Sequence, residues 1–128
     1  MDTRLKVMIV DDDEMSQMLI SSILGDSYII HSASNGSSCL QQLPELLPDV
    51  VLLDMQMPDV DGFEATKLIK QIRPDLPVIV QTAFVLSHDK NQAFEAGYDD
   101  YFVKPIDRNS FLEAINNHLS KVKITAEK

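Results

Sequence analysis

Five side chains that can take part in chemistry each follow a short apolar segment of this sequence. They are three acids, a hydroxyl and an amine, namely Asp11, Asp12, Asp54, Thr82 and Lys104. If the apolar segments are neighbouring parallel strands, these groups meet at the edge of the sheet where ligands bind in open α/β folds. A coincidence of polar groups at four strand ends indicates a functional site rather than a solvated surface.

This set of residues suits metal-assisted transfer of a phosphoryl group to a carboxylate. Three close carboxylates repel one another unless a hard cation neutralises them, and oxygen ligands of this kind suit Mg²⁺. Asp54 is then the nucleophile that forms an acyl phosphate. Mg²⁺ and the Lys104 ammonium stabilise charge on the phosphoryl oxygens, and the Thr82 hydroxyl donates to a third oxygen.

The segment that ends on Asp54 organises the chain. Two valines and two leucines precede Asp54 and are typical of a strand that is buried on both faces. Pro58 follows shortly afterwards and favours a turn. Asp54 is therefore predicted at the carboxyl end of a central strand.

Strand and helix patterns alternate along the chain. Apolar segments predict strands at residues 5–10, 28–33, 49–54, 77–81 and 101–103. Helical spacing predicts helices at residues 15–24, 36–47, 63–72, 87–96 and 107–122. Pro44 is expected to interrupt the later part of the second helix, and Gly97 suits a left-handed cap after the fourth.

This alternation predicts an α/β fold. Right-handed crossovers between parallel strands place helices on both faces of the sheet, which gives a three-layer sandwich. We predict one domain over residues 1–122 and a flexible C-terminal tail over residues 123–128, without internal repeats.

Composition excludes some classes of partner. The 128 residues carry a formal charge of −9 with scattered basic residues, which argues against direct binding of nucleic acid. Neither a leader peptide nor a long apolar run is evident, and Cys39 is the sole cysteine. We therefore expect a cytoplasmic protein without membrane contact.

A phosphoryl group on Asp54 also suggests a switch. A new dianion that draws in Thr82 would move the loop after the fourth strand, and Tyr101 on the fifth strand can fill the space. Local charge would thus alter the surface made by the fourth helix, the fifth strand and the fifth helix.

Six motifs over residues 5–121 support one family resemblance. They are Val10-Asp11-Asp12, Leu53-Asp54-Met55-Gln56-Met57-Pro58, Asp61-Gly62, Thr82-Ala83, Ala96-Gly97-Tyr98-Asp99-Asp100-Tyr101 and Lys104-Pro105. Together they resemble the receiver domains of two-component response regulators. The resemblance implies a flavodoxin-like, CheY-like fold with five helices and a five-stranded parallel sheet in the order 2-1-3-4-5.

The resemblance also implies roles for the residues of the site. Asp54 is expected to accept a phosphoryl group from a phosphohistidine. Asp12, Asp54 and the backbone carbonyl of Gln56 are expected to bind Mg²⁺ directly, with Mn²⁺ as an alternative, while Asp11 acts through water.

Further residues of the family pattern have counterparts here. The resemblance implies a cis peptide before Pro105 that directs Lys104 into the site. It implies Thr82 and Tyr101 as the switch pair.

Two positions that vary within the family are Gln56 and Phe84 in this chain. They line the path of the hydrolytic water in receivers. The bulk of Phe84 favours slow autodephosphorylation.

The expected partner is a histidine kinase or a histidine phosphotransfer domain. We expect a signalling domain that catalyses only its own phosphorylation and dephosphorylation, as a monomer or a weak phosphorylation-dependent dimer. Residues 62–67 and 97–101 resemble the corresponding segments of receivers in hybrid sensor kinases, although single-domain regulators share these sequence patterns.

Three alternatives stay open at this stage. An aspartate-nucleophile phosphatase usually has a second acid two residues after the nucleophile, where this chain has Gln56. A degenerate receiver that acts as a phosphorylation-independent binding module would lack one of the five side chains. A nucleotide-binding domain would show a glycine-rich phosphate loop.

His31, His88 and His118 are too far apart in the sequence to suggest a metal site.

Overall fold

The computed structural model describes residues 4–55, 60, 62–82, 97–103 and 106–126, with Thr82 and residues 119–126 described by main chain alone. Its five strands are Leu5–Val10 (β1), Tyr28–Ala33 (β2), Val50–Asp54 (β3), Val78–Thr82 (β4) and Asp100–Val103 (β5). Each strand begins and ends within one residue of its predicted position. The apolar runs therefore located all five strands.

Four α-helices lie in the described part of the chain. They are Glu14–Leu24 (α1), Gly36–Leu46 (α2), Gly62–Ile72 (α3) and Arg108–Ala126 (α4), and a 3₁₀ turn at Gly25–Ser27 follows α1. The helix predicted at residues 87–96 lies outside the described residues. α4 continues four residues beyond its predicted end at Val122, and the domain boundary there stays a prediction.

The sheet is parallel throughout, in the order β2-β1-β3-β4-β5. All five residues of β3 are buried, because helices cover both faces of the sheet. The three-layer α/β fold and its strand order are thus confirmed. The order places β1 and β3 side by side at the centre of the sheet.

Alternate residues of the strands contribute to two apolar layers. The layer under α2 and α3 includes Met8, Val51, Val80, Leu43 and Ile69. The layer under α1 and α4 includes Ile9, Leu52, Ile79, Ile20 and Phe111. Two well-filled layers hold the carboxyl ends of the strands in fixed positions.

The apolar residues of α1 do not all face the core. Ile20 and Leu24 are buried, whereas Met15 and Met18 are 78% and 70% exposed. Residues four apart share one face of a helix, so Ile20 and Leu24 pack on the sheet while the methionines project away from it. The predicted helix is confirmed, but its apolar stripe is wider than the buried face.

Pro44 lies within α2, so the prediction that it interrupts the helix is wrong. A proline lacks one backbone donor, which near the end of a helix removes only a single hydrogen bond. Leu47 then ends α2 in a left-handed conformation, with φ at 49°, and its N–H donates to the carbonyl of Leu43 at 3.1 Å. The helix therefore reaches Leu46 without a break.

Gly97 has a φ of +84°, which agrees with the left-handed conformation predicted for this position. Among the helices that the structure describes, none is long and apolar enough to cross a membrane.

Candidate functional site

The site is built where β1 and β3 end beside one another. Val10 lies opposite Leu53 in the parallel ladder, so the next residues along each strand are Asp11 and Asp54. Asp54 lies opposite Gln81 on β4. The sheet register therefore brings residues from three strands to the same edge.

The carboxylates of Asp11, Asp12 and Asp54 form one cluster. One oxygen of each lies within 4.8 Å of the others. Asp11 and Asp54 are buried and Asp12 is exposed. At an effective dielectric constant of about 20, two buried like charges this close repel by about 3 kcal/mol.

A divalent cation fits this donor set. The three ligand atoms are carboxylate oxygens, which Mg²⁺ prefers, and the repulsion between them is what a cation removes. The exposed side chain of Asp12 leaves one side of the cluster open to solvent. The geometry is thus suited to a hard cation that keeps some of its water.

Local hydrogen bonds fix the loop after β1. The Asp13 N–H donates to Oδ1 of Asp11 at 2.9 Å. The side chain of Asp13 caps α1 by accepting from the Met15 N–H and from the Ser16 hydroxyl. Asp13 therefore has a structural role in the acidic run, and the Asp-x-x-Ser spacing was a signal for it.

Gln17 is a second supporting residue that the sequence analysis missed. Its Nε2 donates to the Asp11 carbonyl at 2.6 Å and to the Ala33 carbonyl at 3.0 Å. The Asp11 N–H also donates to the Ala33 carbonyl. These bonds join the ends of β1 and β2, and only the folded structure brings these residues together.

The chain around Asp54 is held by its neighbours on both sides. The Met55 N–H donates to the Gln81 carbonyl at 2.9 Å, and the Gly62 N–H donates to the Met55 carbonyl at 3.0 Å. A Cβ on Gly62 would lie 2.7 Å from the Met55 Cα and 3.2 Å from the Asp54 carbonyl oxygen. Glycine is therefore required for this close approach of α3 to β3.

Gln81 is a polar residue in an otherwise apolar strand. Its side chain is 1% exposed, and Oε1 has no hydrogen-bond partner among the described residues. The sequence Pro-Val-Ile-Val-Gln was a signal that one buried position of β4 is polar. Its in-register neighbour on β3 is Asp54.

Thr82 ends β4, and its main chain pairs with Val103 of β5. The side chain of Thr82 is not described. Gln56, Phe84, Lys104 and Pro105 lie outside the described residues, so their predicted roles stay predictions.

Tyr101 lies on β5 with 36% of its surface exposed. Its ring contacts the ring of Tyr98 edge to face, with centroids 6.4 Å apart, and Tyr98 lies 6.2 Å from Phe63. Phe63 directly follows Gly62 in α3. Aromatic contacts therefore connect Tyr101 to the helix that packs against the end of β3.

A polar cleft of about 340 Å³ lies beside the carboxylates, between the segments that follow β1 and β2. Its lining includes Asp11, Asp12, Gln17, Ser34 and Ser38. Cys39 does not belong to this lining, and burial raises the pKa of its thiol to about 12. Cys39 is therefore a packing residue rather than a nucleophile.

Comparison with known proteins gives a consistent family. A model of the response regulator receiver domain matches residues 7–116. The response regulator protein VraR of Staphylococcus saprophyticus is 33% identical over 114 residues, which are 87% of this chain and 54% of that protein. VraR of Staphylococcus aureus is 34% identical over the same length. The chain thus spans about half the length of the curated relatives it matches.

Solved structures agree with this match. A CheY-like receiver domain protein from Methanospirillum hungatei superimposes with a TM-score of 0.88 at 24% identity, over 96% of this chain and 99% of that one. The BeF3-activated receiver domain of DrrB, a protein of Thermotoga maritima, gives a TM-score of 0.83 at 30% identity, over 92% and 99% of the two chains.

Proposed function

Because this chain belongs to the response regulator receiver family of two-component signalling proteins, we propose that it accepts a phosphoryl group on Asp54. The observation that carries this proposal is the carboxylate cluster, in which oxygens of Asp11, Asp12 and Asp54 lie within 4.8 Å of one another. Of the three, Asp54 ends the central strand and is held through Met55 and Gly62. It is therefore the best-positioned nucleophile.

Mg²⁺ is the proposed cofactor, and Mn²⁺ has the same ligand preferences. Asp12, Asp54 and the backbone carbonyl of Gln56 would hold the ion directly, and Asp11 would act through water. When bound, the ion neutralises the carboxylates and the charge on the phosphoryl oxygens. The proposal is supported by the closeness of the three carboxylates, of which Asp12 is the exposed one.

The donor is a phosphohistidine of a histidine kinase or a histidine phosphotransfer domain. An Asp54 carboxylate oxygen attacks phosphorus and forms an O–P bond as the N–P bond breaks. The imidazole leaves with the electron pair of that bond and takes up a proton. The Lys104 ammonium and the Thr82 hydroxyl bind the phosphoryl oxygens, so this chain contributes mainly positioning and electrostatics.

The phosphoryl group then acts as a switch through Thr82 and Tyr101. The two strands that carry these residues are paired in the sheet, and the Tyr101 ring already contacts Tyr98. Rotation of Tyr101 toward the loop after β4 would change the surface that β5 shares with α4. This surface is the proposed output of the domain.

The lifetime of the phosphoryl group is proposed to be long. Phe84 is bulky and apolar, and with Gln56 it occupies one of the two positions that line the path of the hydrolytic water in receivers. We expect the Phe84→Ala variant to lose its phosphoryl group several-fold faster than the wild type, measured by intact mass after removal of the donor. An unchanged rate would eliminate Phe84 as the restriction.

The principal experiment is intact mass spectrometry with Mg²⁺ and phosphoramidate or acetyl phosphate. The wild type should gain one phosphoryl group only when Mg²⁺ is present, and Asp54→Ala should gain none. Asp75→Ala changes an exposed aspartate in the turn after α3 and is the matched control, which should react like the wild type.

The experiment also tests the main alternative. If the wild type gains no mass and forms no beryllofluoride complex, the proposed chemistry is wrong. The domain would then act as a phosphorylation-independent binding module.

A further inference from the structure

The side-chain amide of Gln17 bonds to the ends of two neighbouring strands. Its Nε2 donates to the Asp11 carbonyl at 2.6 Å and to the Ala33 carbonyl at 3.0 Å. A glutamine side-chain amide has two N–H donors, so the two carbonyls match its donor capacity. Gln17 therefore joins the end of β2 and the residue that follows β1 through one group of α1.

The start of α1 directs this side chain to the site. Asp13 caps the helix, and the Gln17 N–H donates to the Asp13 carbonyl at 3.2 Å. Long side chains of a helix point back toward its amino terminus. The Gln17 side chain therefore extends toward the residues that precede the helix, which include the acidic ones.

The Asp11 carbonyl belongs to the peptide unit that joins Asp11 to Asp12. A peptide unit is planar, so a donor that fixes its oxygen also restricts the direction of the main chain at both residues. Both residues contribute a carboxylate oxygen to the cluster with Asp54. One hydrogen bond from Gln17 thus acts on two of the three carboxylates.

The carboxylates repel one another, and movement of the loop after β1 away from Asp54 would relieve this repulsion. Three described contacts oppose such movement. The Asp11 N–H donates to the Ala33 carbonyl at 3.1 Å, the Asp13 N–H donates to Oδ1 of Asp11 at 2.9 Å, and Gln17 makes the two bonds described above. Among these contacts, those of Gln17 come from a side chain and can be removed by substitution without a change to any carboxylate.

We propose that Gln17 is a positioning residue for the cation of the phosphoryl-transfer site, and that it makes the site selective for Mg²⁺ over Ca²⁺. Mg²⁺ demands near-ideal octahedral geometry at short distances, whereas Ca²⁺ accepts longer and more varied distances. A loop that is held in place before the cation arrives therefore favours Mg²⁺. The inference rests on the proposed function, in which these carboxylates hold Mg²⁺.

The test is the affinity of the Gln17→Met variant for Mg²⁺ and for Ca²⁺, measured without a phosphodonor by titration of backbone amide resonances. Methionine has nearly the same length and no donor. We expect the Mg²⁺ affinity to fall about tenfold, as for other groups that orient metal ligands. The Ca²⁺ affinity should fall less than about threefold, because Ca²⁺ tolerates a looser site. Gln41→Met, on the exposed face of α2, is the matched control and should bind both ions like the wild type.

The rate of phosphoryl gain from phosphoramidate, followed by intact mass, gives a second readout. At an Mg²⁺ concentration equal to the dissociation constant of the wild type, a tenfold weaker affinity makes Gln17→Met react about fivefold more slowly. At saturating Mg²⁺ the variant should react within about twofold of the wild type. A rate that stays low at saturating Mg²⁺ would show that Gln17 does not act through the cation, and the proposal would be wrong.

The cation affinities separate positioning from general damage to the fold. An unchanged Mg²⁺ affinity in Gln17→Met overturns the inference, while the proposed function stands. Equal losses for Mg²⁺ and Ca²⁺ also overturn it, because Gln17 would then support the fold without selecting the ion. A wild type that binds no Mg²⁺ overturns both the inference and the proposed function.

A measurement on the wild type does not depend on whether the variant folds. Hydrogen-bonded amide protons exchange with solvent more slowly than free ones. The side-chain amide protons of Gln17 should therefore exchange more slowly than those of the exposed Gln41 in the cation-free protein. Equally fast exchange would contradict the proposed positioning of the loop.

Discussion

The two ends of the sheet use acidic residues in opposite ways. At the amino-terminal end, Asp49 accepts from the Lys6 N–H at 2.7 Å, and its own N–H donates to the Lys6 carbonyl. Asp99 accepts from the Val78 N–H at 2.8 Å and forms an ion pair with Lys70 at 2.8 Å. Each of these acids is matched with a donor and holds a strand in register.

At the carboxyl-terminal end of the sheet, the acids lie close to one another instead. Asp11 and Asp54 are buried within the same cluster as Asp12, and the neighbouring Gln81 adds an acceptor without a partner in the part of the chain that the structure describes. Like charges that lie this close repel one another and lower the stability of the folded state. The same residue type thus holds strands in register at one end of the sheet and forms a cluster of like charges at the other.

The largest effect is expected where the carboxyl-terminal end is packed most tightly. Gly62→Ala would place a methyl group 2.7 Å from the Met55 Cα, so β3 or α3 must shift. We expect a loss of about 3 kcal/mol in the free energy of unfolding, measured by urea denaturation. Gly25→Ala, where the added carbon meets nothing within 4 Å, should lose about 1–2 kcal/mol from its backbone conformation alone, with φ at +64° and ψ at −152°. Equal losses would show that the close approach does not matter.

Removal of an acid that accepts hydrogen bonds at the amino-terminal end of the sheet should destabilise the protein. Asp99→Ala leaves the Val78 N–H and the Lys70 ammonium without this acceptor, and we expect a loss of about 1–2 kcal/mol by urea denaturation. Asp75→Ala, at an exposed turn position, should change stability by less than about 0.5 kcal/mol. If Asp99→Ala is as stable as Asp75→Ala, the hydrogen bonds of Asp99 do not stabilise the sheet, and the two ends of the sheet do not differ in the way described.

Neutralisation of an acid in the carboxylate cluster should instead raise the free energy of unfolding. Asp54→Asn removes one of the repelling charges while keeping the shape, and we expect a gain of about 1–2 kcal/mol in the free energy of unfolding without Mg²⁺. Mg²⁺ at ten times its dissociation constant should stabilise the wild type by about 1.4 kcal/mol and the variant by less. A destabilised Asp54→Asn would mean that Asp54 is satisfied by its protein neighbours alone.

The smallest effect concerns the start of α4. Hydrogen bonds from the Ser110 side chain and its N–H lower the pKa of the Asp107 carboxyl. A lowered pKa in the folded state adds stability above the ordinary pKa of about 3.9, and this is lost as the pH falls through the folded value. Asp107→Asn should therefore be slightly less stable than the wild type at pH 6, and the difference in urea midpoint should shrink as the pH falls toward about 3. The same difference at both values would exclude a contribution from ionisation.

The sequence predicted the strands well because each strand is a short apolar run between polar turns. The run before Asp54 is buried along its whole length, as two covered faces require. The position of Asp54 at the end of a central strand followed from this run. Strand order followed from the family resemblance, and the parallel register then brought Asp11 beside Asp54.

The remaining features depend on tertiary structure. Apolar spacing in α1 identified a helix, but Met15 and Met18 are exposed because only one face of the helix meets the sheet. Gln17 supports Asp11 through a backbone carbonyl of β2, which no local pattern encodes. The full burial of Gln81 in a mainly apolar strand is equally non-local, so the lack of a partner for its side-chain oxygen among the described residues was not predictable from the order of residues.

The central position of β1 has a consequence for how the domain is made. β1 pairs with β2, the next strand in the sequence, and on its other side with β3. During synthesis β1 and β2 emerge before β3, so Asp11 and Asp12 can meet Asp54 only after all three strands have been made. The carboxylate cluster is therefore a property of the assembled sheet, and a nascent chain that stops before Asp54 cannot form it.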